Sequence, residues 1–292
     1  MKLLRLIFPS LAALSLTLGL APSVRAQMPH TATLDFDQLQ EIGLAIAQEA
    51  AQRTQFQQYD IALQQVELAT QLVPNDFRVW AVAADIYLRT DKLDDGIKAL
   101  NVARKLEPKD PAIHLALGTA YFRKKDYATA TQNYEAGLKL KPDSPGALFD
   151  LGNAYYVTGR LGEALSSFQK AVDLGDKFWE ATNNIGLVHY EQGKRDQAIA
   201  AWKRALSINN KAAEPQLALA VALYAQGDRK QSLRLAETAL KTDGQYGDVK
   251  FLREQLWGDR LVKDTEIFLA TPQMKSVLAQ VDTSPPSPSR PQ

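Results

Sequence analysis

The sequence predicts an all-α solenoid of about six helix-turn-helix units, closed by capping helices at both ends. Two observations carry this prediction. Pro74, Pro108 and Pro142 stand 34 residues apart. Three segments, starting at Leu117, Leu151 and Ile185, align with one another on that same period. A fixed period of this length marks stacked units, each too small to bury its apolar face without a neighbour.

Residue types recur in phase. Leu117-Gly118 and Leu151-Gly152 repeat as Ile185-Gly186. Tyr87, Tyr121 and Tyr155 follow one another at the period. Ala62, Ala130, Ala164 and Ala198 hold one place in the second half of their units, with Gly96 at that place in the second unit, and Tyr134, Phe168 and Trp202 stand four residues beyond the last three. Trp80 holds the tryptophan place of its unit. This pattern resembles the tetratricopeptide repeat, W-x2-L-G-x2-Y, then A-x3-F, then P. The resemblance spans six units: 43–76, 77–110, 111–144, 145–178, 179–212 and 213–246. It implies a right-handed solenoid. The outer units are degenerate, with Arg53 and Leu223 at the tyrosine place and Ala236 at the bulky one. Asp176 and Asn210 replace the closing proline.

Each position has a physical reading. Glycine inside a helix costs about 1 kcal/mol against alanine. Gly118, Gly152 and Gly186 therefore imply a helix packed close to their backbone. Ala130, Ala164 and Ala198 allow the same approach from the second helix. Gly159, Gly193 and Gly227 stand where first helices should end, and the prolines where second helices should.

The ends read differently. Residues 1–26 look like a signal peptide: Lys2 and Arg5, then an uncharged run from Leu6 to Ala21, then a small-residue exit at Ala26. A retained anchor is the alternative, but the run is shorter than the ~20 apolar residues of a membrane span and is broken by Pro9. Residues 27–42 form a lead-in and the start of the first helix, with Asp35 as its cap. Residues 247–281 predict C-terminal capping helices, over Val249 to Leu256, Val262 to Leu269 and Pro272 to Val281. The first of these is expected to cover the open end of the sixth unit. Residues 282–292 are a Pro/Ser-rich tail expected to be disordered.

Composition excludes much chemistry. There is no cysteine, hence no disulfide, thiolate metal site or cysteine nucleophile. Three histidines are too few for a multi-histidine centre. Beyond residue 26 the chain carries 31 basic and 33 acidic residues, unlike a nucleic-acid binder. No phosphate-binding loop, dinucleotide fingerprint, zinc-protease or nucleophile-elbow motif occurs. His114 and His189 fall on the tryptophan and tyrosine places and read as packing residues. Asp91, Asp94 and Asp95 lack the spacing of a calcium loop. They and the Arg123-Lys124-Lys125 run read as solvated turns. No cofactor, metal or catalytic residue is expected, and the chain is expected not to be an enzyme.

The resemblance implies that first helices line a concave groove in which a partner peptide or helix docks. The residue after each tyrosine place lies on that helix: Leu88, Phe122, Tyr156, Tyr190 and Tyr224. With Phe149, Asn153, Asn183 and Asn184 nearby, the last four form the candidate partner-binding groove. Aromatics offer apolar area with a polar tip, and asparagines can pair with a peptide backbone. The basic clamp of relatives that bind a partner's C-terminal carboxylate is missing: those places carry Ala47, Ala51, Ala81, Asp85, Leu115 and Thr119.

The expected function is therefore a protein-interaction scaffold, exported to a periplasm or thylakoid lumen, with membrane association through its N-terminus. A second reading is an anchored envelope assembly factor that acts by recruitment, and a third, which no motif supports, is an enzyme with an unrecognised site. The stretch LREQLWGDRLVKDTEIFLATP, with the export signal and the absence of cysteine, is similar to exported cyanobacterial repeat proteins that help assemble photosynthetic membranes.

Overall fold

The computed structural model describes residues 35–175 and 177–281. The signal or anchor at 1–26, residues 27–34, Asp176 and the tail at 282–292 lie outside the described residues. The chain divides into two units, residues 1–36 and 37–292, and the account below concerns the second.

First and second helices alternate along the array. They are α1 (Phe36–Gln55), α2 (Tyr59–Leu72), α3 (Phe77–Arg89), α4 (Leu93–Leu106), α5 (Pro111–Arg123) and α6 (Tyr127–Leu140). Then come α7 (Pro145–Val157), α8 (Leu161–Leu174), α9 (Trp179–Glu191), α10 (Arg195–Ile208), α11 (Ala213–Gln226) and α12 (Arg229–Thr242). From α3 to α11 the first helices begin every 34 residues. The architecture is an all-α tetratricopeptide-type solenoid, with no strand among the described residues.

Local chemistry sets the ends of these helices. The side chains of Asp76 and Asp110 accept the Arg78 and Ala112 backbone N–H at 2.9 and 2.8 Å. Proline opens α5 and α7, where its missing N–H costs nothing. The turn inside each unit needs one left-handed residue, again on the 34-residue period: Gln57, Asp91, Lys125, Gly159, Gly193 and Gly227, with φ from 58° to 96°. Glycine adopts that conformation freely. The three side-chain-bearing residues pay a steric cost there.

Packing explains the glycines of the first helices. A Cβ on Gly118, Gly152 or Gly186 would lie 2.5, 2.5 or 2.4 Å from Tyr134, Phe168 or Trp202. The ring of each second helix lies flush on its own unit's first helix. Ala130, Ala164 and Ala198 are fully buried, so each successive pair closes on the next. Trp80, His114 and Gln216 share one repeat place and one bond. Each side-chain nitrogen meets the carbonyl oxygen six residues upstream, at 2.8, 2.9 and 2.7 Å. His114 is thus tied into the seam between units.

Beyond α12 come a 3-10 turn (Gly244–Gly247), α13 (Val249–Glu254), α14 (Asp259–Leu269) and α15 (Pro272–Val281). α15 packs on α12 and on the 3-10 turn, covering the end of the array. α13 ends at Glu254, and Leu256 takes φ 62°. The chain then reverses. α14 runs back onto α9 and α11, both first helices, rather than onto the end of the sixth unit. Among the described residues no helix is long and apolar enough to cross a membrane.

Candidate partner-docking face

The face of interest belongs to the first helices α5, α7, α9 and α11. Phe122 is half-buried and meets Tyr127 edge-on at 5.2 Å. Phe149 packs between Phe168 and Phe178, with ring centroids 5.7 and 5.2 Å away. The Asn184 amide donates to the Asn153 side-chain oxygen at 2.8 Å, joining α9 to α7. The Asn183 amide donates to the Asn184 oxygen at 3.1 Å.

The remaining predicted aromatics meet the C-terminal segment. The Tyr190 hydroxyl donates to Asp264 on α14 at 2.6 Å. The Tyr224 ring lies 4.8 Å from that of Phe268. Tyr156 is buried beside the Gly258 backbone, and its hydroxyl makes no hydrogen bond of normal geometry. The Trp257 indole N–H reaches Glu214 on α11 at 3.0 Å. The Glu191 carboxylate on α9 accepts the Arg260 and Leu261 backbone N–H at 3.2 and 3.1 Å. Leu261, Val262, Thr265, Phe268 and Leu269 are buried in this seat. Four of them are apolar, each worth about 1.5–3 kcal/mol when removed from water.

The eight residues predicted to form a binding groove therefore fall into two sets. Phe122, Phe149, Asn153 and Asn184 lie on α5, α7 and α9 outside the α14 seat. Tyr190 and Tyr224 hold α14, Tyr156 borders its N-terminal end, and Asn183 lies beside the Glu214 that holds Trp257. Asp150, Glu191, Glu214 and Trp257 were not among the candidates. One sequence signal could have found the carboxylates. α7, α9 and α11 contain no lysine or arginine, yet carry Asp150, Glu180, Glu191 and Glu214.

Burial changes these carboxyl groups. It pushes Glu214 up to about 7, against the smaller opposing pull of Asn183 and Trp257. It pushes Asp150 up to about 6 with no opposing partner. Nearby Tyr134 is raised as well, by burial first and the Asp150 charge second.

Elsewhere several charged groups pair across or within units. Asp91 and Asp94 pair with Arg123 and Lys124, so the acidic turn of one unit meets the basic turn of the next, while Asp95 pairs with Lys98 on its own helix. Burial holds His189 below its ordinary value, with Lys194 adding to the effect. No cluster of metal-ligating side chains occurs among the described residues. A cleft of about 630 Å³ lies between α6 and α8. Its polar wall is tied up by the Tyr155 hydroxyl, which donates to Glu135 at 2.5 Å, and by Arg160 over the Tyr155 ring.

A stacked array of helix pairs with a contact-rich first-helix face is the architecture of a protein-interaction scaffold. The chain belongs to the tetratricopeptide repeat family, whose profiles match residues 82–145, 115–177 and 186–227. No curated protein matches it. Among solved structures it is similar to PilF of Pseudomonas aeruginosa, with TM-score 0.62 and 15% identity over 76% of this chain and 98% of that one. It is similar to YrrB, described as a tetratricopeptide protein with an unusual peptide-binding site, with TM-score 0.54 and 18% identity over 66% and 98%. It is also similar to MamA, with TM-score 0.53 and 22% identity over 58% and 92%. At these identities the likeness is one of fold.

Proposed function

We propose that this chain is a non-catalytic scaffold that docks a peptide or helix of a partner protein on its first-helix face. One observation carries the reading: the face already holds a helix, α14, through a hydroxyl, a carboxylate and aromatic rings. Polar and aromatic groups continue beyond the α14 seat at Asn184 on α9, Asn153 on α7 and Phe122 on α5. Phe149 lines the same helices, Tyr156 and Asn183 are buried beside the α14 seat, and Tyr190 and Tyr224 act through the helix they hold. The peptide-binding site ascribed to YrrB agrees with such a use of the fold.

The positively charged start and small-residue exit of residues 1–26 support export to a periplasm or thylakoid lumen. There the scaffold would serve assembly of membrane or photosynthetic complexes. A photo-crosslinking residue at Phe122 or Asn153, compared with one at Leu140 on the rim of α6, tests the docking reading in native cells. The expected result is a defined partner crosslinked from the first two sites. Crosslinks from Leu140 alone would overturn it.

A further inference from the structure

Two successive seams between first helices carry polar pairs at the same repeat places. Asn153 and Asn184, on adjacent first helices, bond to each other at 2.8 Å. One period earlier the same two places hold Thr119 and Asp150. That pair is not closed. The Thr119 hydroxyl donates to the Leu115 carbonyl at 3.2 Å and accepts the Tyr134 hydroxyl at 3.2 Å. Its single proton is spent, and Asp150 has no hydrogen-bond or ion-pair partner among the described residues. The carboxylate is half-buried all the same.

The other carboxylates of this face show what it accepts. Glu214 takes an indole N–H, and Glu191 takes two backbone N–H groups at the positive end of a helix. All three donors come from the C-terminal segment. No lysine or arginine on the first helices α3, α5, α7, α9 and α11 competes for Asp150. α7, α9 and α11 carry none, and Arg123 at the end of α5 is held by the Leu88 carbonyl and Asp91. Arg78 and Arg89 on α3 are likewise paired, with Asp76 and Asp85.

We propose that the face over α5 and α7 binds a lysine- or arginine-bearing segment of a partner protein, its cation on Asp150 and its backbone along the Asn153–Asn184 pair. The occupant follows from charge complementarity. An unpaired, half-buried carboxylate on a face whose one arginine is already paired favours a cation and repels an acidic segment. α14 closes the far end of the site, so the bound segment stops near Tyr156. This inference rests on the docking reading above and names the chemistry of its ligand.

The test is selection of short random peptides on phage against the full chain. The expected binders carry Lys or Arg. They bind Asp150→Asn about tenfold or more weakly, as loss of a charge-assisted contact implies. They also fail when that Lys or Arg becomes Gln, and Asp150→Glu retains them in part. Asp150→Asn removes an unpaired charge, so its thermal denaturation should match or exceed that of the parent. Binders that lack a cation, or that bind Asp150→Asn as well as the parent, overturn the inference and leave face docking intact. A selection that yields no binder to this face overturns both.

Discussion

The Glu191 carboxylate lies 3.1 Å from the backbone nitrogen of Leu261, seventy residues away, and closes the first turn of α14. The cap position of that helix is Gly258, which has no side chain to offer. A helix start leaves its first N–H groups without partners, and a carboxylate there also meets the positive end of the helix dipole. α14 therefore completes its N-terminus by docking. The face thus supplies the cap that the helix's own sequence lacks.

Removing that carboxylate should loosen α14 more than the rest of the array. Glu191→Ala is expected to cost about 1–3 kcal/mol, the loss of two bonds to a charged acceptor. Amide exchange should rise across residues 259–269 and remain unchanged in α3 to α6. Glu191→Gln keeps one acceptor and should fall between the two. Uniform exchange in Glu191→Ala would refute the coupling.

The aromatic contact at the other end of α14 should matter more. Phe268 is fully buried and lies 4.8 Å from the Tyr224 ring. Phe268→Ala should cost about 3–5 kcal/mol as a large-to-small core change. Limited proteolysis should then cut between α13 and α14 first, while the repeats resist.

Glu214 gives stability a dependence on pH. Its folded value is raised to about 7 from an ordinary 4.5, mainly by burial. Between those values the folded chain holds a proton that the unfolded chain has released. This contribution to stability therefore falls as pH rises from 4.5 to 7. Glu214→Gln keeps an oxygen for Trp257 and removes the titration. Relative to the parent it should gain about 2 kcal/mol on going from pH 5 to pH 8. Asp150 acts in the same direction as Glu214, and His189 in the opposite one. Both are present in each protein and cancel in the difference. Parallel denaturation midpoints across this range would refute the assignment.

The glycine contacts should be coupled to the rings they face. Gly152→Ala places a methyl 2.5 Å from Phe168 and should cost about 1–3 kcal/mol as overpacking. With Phe168→Leu in the same chain the two costs should fall short of additive by about 0.5 kcal/mol or more. Additive costs would mean that the ring moves aside freely.

The sequence by itself determined the array. Gly118, Gly152 and Gly186 and the rings of Tyr134, Phe168 and Trp202 recur on the 34-residue period. These contacts join neighbours, so a periodic sequence is enough to specify a periodic structure. The left-handed turn was legible in part. Gly159, Gly193 and Gly227 announced it, whereas Gln57, Asp91 and Lys125 adopt the same φ without any residue-type signal.

Tertiary structure alone decided what covers the face. Periodicity put Tyr156, Tyr190 and Tyr224 in a row but could not say that α14 returns to the last two. That return depends on the reversal at Leu256 to Gly258 and on bonds such as Tyr190 to Asp264, 74 residues apart. Such contacts occur once and leave no repeat in the chain. Nor could the sequence separate Asp150 from Glu214. Both are carboxylates of first helices, and only the fold gives Glu214 an indole N–H and leaves Asp150 with no donor.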